Sequence, residues 1–164
     1  MKIQPYLKKL NNSKQFKDFK SKNPDAFLSA GFFVIDLASG KNLHQVDYYS
    51  PKSSKMVTFV LDGNSVILKP AEPSNSKTPK EIKEKINIDL DILKGLVEDE
   101  MKNQTVTKKL QKIIAVVQNT DDCLVWNLNC ITTDMGIIKV HIDDKTHSIL
   151  KFEQVSLFDV VKKI

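Results

Sequence analysis

Residues 27–36, FLSAGFFVID, lie over residues 109–118, KLQKIIAVVQ, when the chain is shifted by 82 positions. Each segment holds an apolar run without alternation, Phe32-Phe33-Val34-Ile35 in one and Ile113-Ile114-Ala115-Val116-Val117 in the other. Successive side chains on a strand point to opposite faces, so a run of this kind needs cover on both. A helix can supply one cover. The other must come from the sister segment, a second copy of the chain or a partner.

Farther along, residues 45–62, QVDYYSPKSSKMVTFVLD, lie over residues 126–143, WNLNCITTDMGIIKVHID, at a shift of 81. Val66-Ile67-Leu68-Lys69 then matches Ser148-Ile149-Leu150-Lys151 at 82 again, because the second turn is one residue longer. Here the pattern alternates. Val57, Phe59 and Leu61 share one face, as do Ile138, Val140 and Ile142, which leaves Lys139 and His141 on the other. Asp62-Gly63-Asn64 and residues 143–146 (DDKT) are turn signals. Each copy reads as an antiparallel meander.

A helical pattern precedes each meander. Leu90, Leu93, Val97 and Met101 recur at helical spacing in the second copy. In the first, Pro5 suits an opening turn, Tyr6, Leu7, Leu10, Phe16 and Phe19 form the apolar stripe, and Asn23-Pro24-Asp25 ends it. Residues 70–79, PAEPSNSKTP, carry no bulky apolar side chain and read as a linker. SLFDVVKKI at the end can form a short helix capped by Ser156. The expected fold class is α+β: two tandem units, each a helix packed on an antiparallel β-meander, plus a short C-terminal helix. The first unit spans 1–69, the linker 70–80 and the second unit 81–164.

The stretch VWNLNCITTDMGIIKVHIDDKTHSIL resembles the carboxyl-terminal half of PepSY domains, in which a Trp-bearing strand precedes a strand ending in Asp, a Thr-Gly turn and a short apolar strand. The matching positions are Trp126, Val140-His141-Ile142-Asp143, Thr146 and Ile149-Leu150. His147 stands where the turn glycine belongs, and Gln45 takes the place of the tryptophan in the first copy. The resemblance covers about 30 residues. It implies two tandem cystatin-like units, each one helix against a curled antiparallel sheet, and a non-catalytic, inhibitory or chaperone-like role.

Composition narrows the function classes. An apolar fraction of 41% and a charged fraction of 27% suit a folded protein. The opening MKIQPYLKKL lacks the apolar run of a secretory signal, and no window reaches the ~18 apolar residues of a membrane span, so no membrane association and a cytoplasmic location are expected. Cys123 and Cys130, seven positions apart on one proposed strand, are too far apart for a disulfide and read as two half-buried free thiols. The net charge is +5, yet all 25 basic residues are lysine. Without arginine the bidentate contacts to guanine and phosphate are missing, so no specific nucleic acid is expected, only weak, salt-sensitive contact through lysines such as Lys52, Lys55 and Lys139.

No catalytic constellation stands out. His44, His141 and His147 accompany no nucleophile motif, and a pairing of His141 with Cys130 has no supporting spacing. His141, Asp143, Asp144 and His147 match no metal-ligand pattern, so no metal and no cofactor are expected. The glycines at 31, 40, 63, 95 and 136 are too scattered for a phosphate loop. What remains is an outward sheet face. One of Tyr48 and Tyr49 must point outward, Asn127 and Asn129 share the outward face with amides suited to a peptide backbone, and Lys139 and His141 lie beside them. Trp126 alternates with Leu128 towards the core, while its indole N–H asks for a polar neighbour. The reading is a non-enzymatic binding or regulatory module that captures a protein or peptide partner on a sheet edge or face, with two chains able to pair through the doubly apolar strands. The alternatives are a cone-like domain with a small-molecule pocket and a weak nonspecific nucleic-acid binder.

Overall fold

The computed structural model describes residues 3–63, 65–69, 72–73, 78–121 and 123–156. Two helices come first, α1 (Ile3–Asn12) and α2 (Lys14–Lys22). The strands β1 (Phe27–Asp36), β2 (Leu43–Ser50), β3 (Lys55–Asp62), β4 (Ser65–Leu68) and the two-residue β5 (Glu72–Pro73) follow. Then come α3 (Leu90–Asn103), β6 (Leu110–Thr120), β7 (Cys123–Thr132), β8 (Ile137–Asp143) and β9 (Ile149–Val155). The break between α1 and α2 has a local cause, because the Ser13 hydroxyl accepts from the Phe16 N–H at 3.2 Å and caps a new helix. The single helical stripe expected from Tyr6 to Phe19 is therefore two short helices.

All strands belong to one antiparallel sheet in the order β4-β3-β2-β1-β6-β7-β8-β9, with β5 beside β4 on the edge of β3. This corrects the expectation of two tandem cystatin-like units. The two meanders are joined edge to edge by β1 and β6, from Ala30 opposite Gln118 to Asp36 opposite Lys112, and one continuous cluster of buried side chains runs beneath them. Phe33 and Ala115, matched by the 82-residue shift, sit directly opposite each other in this seam. The apolar runs thus meet through backbone hydrogen bonds. The sister strand does not lie over their open face.

All three helices bury their apolar stripes in that cluster, which takes in Leu10, Phe16 and Phe19 from the first two and Leu90, Leu93, Val97 and Met101 from α3. The sheet contributes its inner face, including Phe33, Val46, Phe59, Ile113, Ala115, Val117, Leu128, Val140 and Ile142. Gly31 makes room at the centre: a Cβ there would lie 2.7 Å from the Phe33 ring, so only glycine lets that ring fold back along its own strand. A bulge at Ser29, between Leu28 and Ala30, switches the facing of β1 and puts Phe27 against Tyr49, ring centroids 5.7 Å apart.

The carboxylate of Asp144 ties the approach to α3 onto the turn after β8. Only 1% exposed, it accepts from the backbone N–H groups of Asn87 at 2.8 Å and Ile88 at 3.0 Å, and from the Trp126 indole at 2.9 Å. No helix among the described residues is long and apolar enough to cross a membrane. The expected C-terminal helix, residues 157–164, and most of the linker lie outside the described residues. Cys123 is exposed and Cys130 buried, at opposite ends of β7, in place of two half-buried thiols.

Candidate functional site

The seven residues singled out from the sequence divide between the two sides of the sheet. Trp126 is fully buried, 5.8 Å from the Phe33 ring, with Asp144 as its polar neighbour. Tyr48 also faces inward, against Phe16 at 5.1 Å, and burial pushes its phenol up to about 12. Tyr49 is on the outer side as alternation requires, but it is buried beside Phe27 and presents little to a partner. Asn127, Asn129, Lys139 and His141 are brought together on the outer face, Asn127 opposite His141 and Asn129 opposite Lys139.

Among the described residues no helix lies on that outer face. Its rows are read off the strand register: Val60, Gln45, Phe32, Val116, Asn127 and His141 form one, and Val34, Ile114, Asn129 and Lys139 form part of the next. Phe32, Val34, Ile114 and Val116 are only partly exposed because they shield one another. Around them the electrostatics reflect poor hydration. Desolvation raises the Asp47 carboxyl above the usual range, opposed by the Thr58 hydroxyl bonded to it at 2.6 Å and by Lys69. Desolvation also lowers His141, helped by Lys151 and Lys139. The Asn127 Oδ1 is shielded and has no hydrogen-bond partner among the described residues.

This geometry removes several chemical readings. Cys130 faces the core, its thiol pushed up to about 12 by burial, whereas His141 points to the other side of the sheet, so the two cannot act as nucleophile and base. The turn residues do not converge either. Asp144 turns inward to Trp126, and Asp143 accepts from the backbone N–H groups of Lys145 and Thr146, both at 2.9 Å. Lys52 and Lys55 flank the β2–β3 turn, while Lys139 stands on β8 across the sheet, so these lysines form no single basic face.

A second surface escaped the sequence reading. β4 ends the sheet, and among the described residues nothing pairs with its outer edge. The Lys69 N–H donates to the Thr58 carbonyl at 2.9 Å, so by the alternation of an antiparallel ladder the backbone groups of Val66 and Leu68 turn outward. Their side chains line two adjoining grooves beneath α1 and α2. One, of about 670 Å³, runs over Phe19, Val57 and Leu68; the other, of about 790 Å³, over Tyr6, Leu61 and Val66, and Gln15 borders both. Lys9, Lys22 and Lys55 line them against one acidic residue, Asp18, while the Lys69 ammonium reaches to the Gln45 amide oxygen on the outer face, 3.4 Å away. Ile67 and Leu68, 50% and 45% exposed, are the large exposed apolar residues of this edge.

The buried histidine near this edge gives a pH prediction. His44 packs on Tyr6 at 5.1 Å, its Nε2 has no partner among the described residues, and desolvation holds it below the ordinary 6.5. With its folded value lowered, as for His141, the folded chain binds fewer protons than the unfolded one. The stability this confers is complete above about pH 6.5 and is lost as pH falls through the lowered values. Carboxylates held below their usual range, such as Asp25 and Asp143, act only at pH below about 4. Asp47 acts in the opposite sense. Thermal melts at pH 7.5 and pH 5 should show a lower Tm at pH 5, with a smaller drop in His44→Leu. An equal drop in the variant would show that His44 is not the sensor.

The chain matches no protein-family model, and no curated protein matches it in sequence. Among solved structures it is similar to the crystal structure of a putative lipoprotein from Clostridium difficile 630, with 15% identity and a TM-score of 0.57. The match covers 86% of this chain and 90% of that one. At this identity the likeness concerns the fold alone.

Proposed function

We propose that the chain is a non-enzymatic binding module that takes an extended, acidic segment of a partner polypeptide as an added strand on β4. The observation that carries this reading is the β4 edge, which no described residue pairs and whose outward-turned residues Val66 and Leu68 each line one of the two grooves. An added strand would make main-chain bonds to β4, and its alternate side chains, about 7 Å apart, would enter neighbouring grooves. The surplus of lysine favours carboxylates on the segment.

Leu68→Pro tests this directly. The Leu68 N–H turns away from β3, so proline removes an outward donor without breaking the internal ladder, and stability should change by only about 1 kcal/mol. Selection from a displayed library of random ten-residue peptides should enrich acidic sequences with alternating apolar residues. Fluorescence anisotropy with the winners should show binding to the parent and none to Leu68→Pro. If no peptide is enriched, or if the proline variant binds as well as the parent, strand addition at β4 is excluded.

A further inference from the structure

We infer that two copies of this chain pair face to face through the open side of the sheet, a surface separate from the β4 edge. The first ground is chemical. Phe32, Val34, Ile114 and Val116 form a block at the middle of a face that no described residue covers, and monomeric proteins seldom leave a sheet centre of this kind to water. The second is size. Six central strands at ~4.8 Å spacing, each with about four outward residues at ~6.8 Å, present roughly 780 Å², close to the ~800 Å² per partner of a standard stable interface.

The third ground identifies the occupant. A twofold axis along the β1–β6 seam lays β1 of one copy over β6 of the other, β2 over β7, and β3 over β8. Phe32 then faces Val116 and Val34 faces Ile114. Gln45 comes over Asn127, amide to amide, next to the oxygen that has no partner among the described residues. Asp62, at the end of β3, comes to the level of Lys139 on β8. An axis across the strands would instead set each half on itself, with Lys139, His141, Lys151 and Glu153 of one copy against the same patch of the other and the Asn127 oxygen away from Gln45. Aligned sheets cross at about 30°, which leaves the central block in register. With the axis along the seam, apolar residues face apolar ones, amide faces amide and Asp62 meets Lys139, so the occupant that fits this face is a second copy of the chain.

Sedimentation velocity from 1 to 100 µM on the full chain decides the matter. The parent should run as a dimer. Val116→Lys places a charge at the centre of the interface and should raise the dissociation constant at least about 100-fold, with an unchanged far-UV circular dichroism spectrum. Val116→Thr, close to the same shape and at home in a strand, should raise it about tenfold and keeps the test valid if the lysine variant does not fold. A parent monomeric up to 100 µM overturns the inference and leaves the face to a different partner or to the chain's own last residues. A dimer that Val116→Thr leaves unweakened overturns it too and points to pairing elsewhere. Leu68→Pro should dimerise like the parent, so loss of peptide binding and loss of the dimer are read separately.

Discussion

Ala115→Lys is expected to melt at least 10 °C below the parent or to fail to fold, while Val116→Lys, one position on, melts within a few degrees of it when both are compared as monomers. Ala115 has no exposure and faces the core, opposite Phe33 on one side and Leu128 on the other. An ammonium group there has no carboxylate to meet and no path to water, so the cost is several kcal/mol out of a total stability of about 5–15 kcal/mol. At about 2–4 °C per kcal/mol for a chain of this length, the melting point moves by the stated amount. Val116 points to the open side, where a lysine stem can lie along the sheet with its head in solvent. Thermal denaturation followed by circular dichroism gives both numbers. Equal melting of Ala115→Lys and the parent would mean that the inner face is not closed by the helices.

Asp144→Ala should be nearly as severe, at about 3–5 kcal/mol. The substitution leaves the indole of Trp126 and the backbone N–H groups of Asn87 and Ile88 without an acceptor, each costing about 1–3 kcal/mol when buried. The loss also frees the segment before α3 from the turn after β8. Asp144→Asn retains one acceptor oxygen but turns an amide towards groups that are themselves donors, so it should recover less than half of the loss. Trp126 is the single tryptophan, and its emission should shift to the red in Asp144→Ala under native conditions. A blue emission maximum with an unchanged melting point would show the carboxylate to be dispensable.

The strands were legible in the sequence because their signal is local. Alternation at Val57-Phe59-Leu61 and Ile138-Val140-Ile142 assigned those strands and their faces, and the helical spacing from Leu90 to Met101 assigned α3. The half-length shift led to the expectation of two separate units, where the structure has one continuous sheet. Whether Phe32 to Ile35 packs over its counterpart or pairs beside it depends on hydrogen bonds between residues some 80 positions apart, which leave no period in the chain. Facing is likewise non-local where a bulge intervenes. Tyr49 alternates outward as expected, yet the irregularity at Ser29 brings Phe27 over it and buries it. Trp126 announced its need for a polar neighbour without naming Asp144, 18 residues away and read as part of an ordinary turn. The β4 edge was missed because Ile67 and Leu68 look like any short return strand, and an edge is defined by what fails to pair with it.

The seam between β1 and β6 also orders the events of folding. Every other long pairing in the sheet joins neighbours in the chain through a short turn, and such hairpins close in about 1–10 µs. Phe33 and Ala115, by contrast, meet only after a loop of some 80 residues has been drawn in, and that entropy must be spent before any seam contact compensates for it. The two meanders should therefore form early and join late, so that their union through Phe33, Ile113, Ala115 and Val117 limits the rate. Conservative truncations along the seam should lower the folding rate in proportion to the stability they remove, whereas those in the β8–β9 hairpin should act mainly on unfolding.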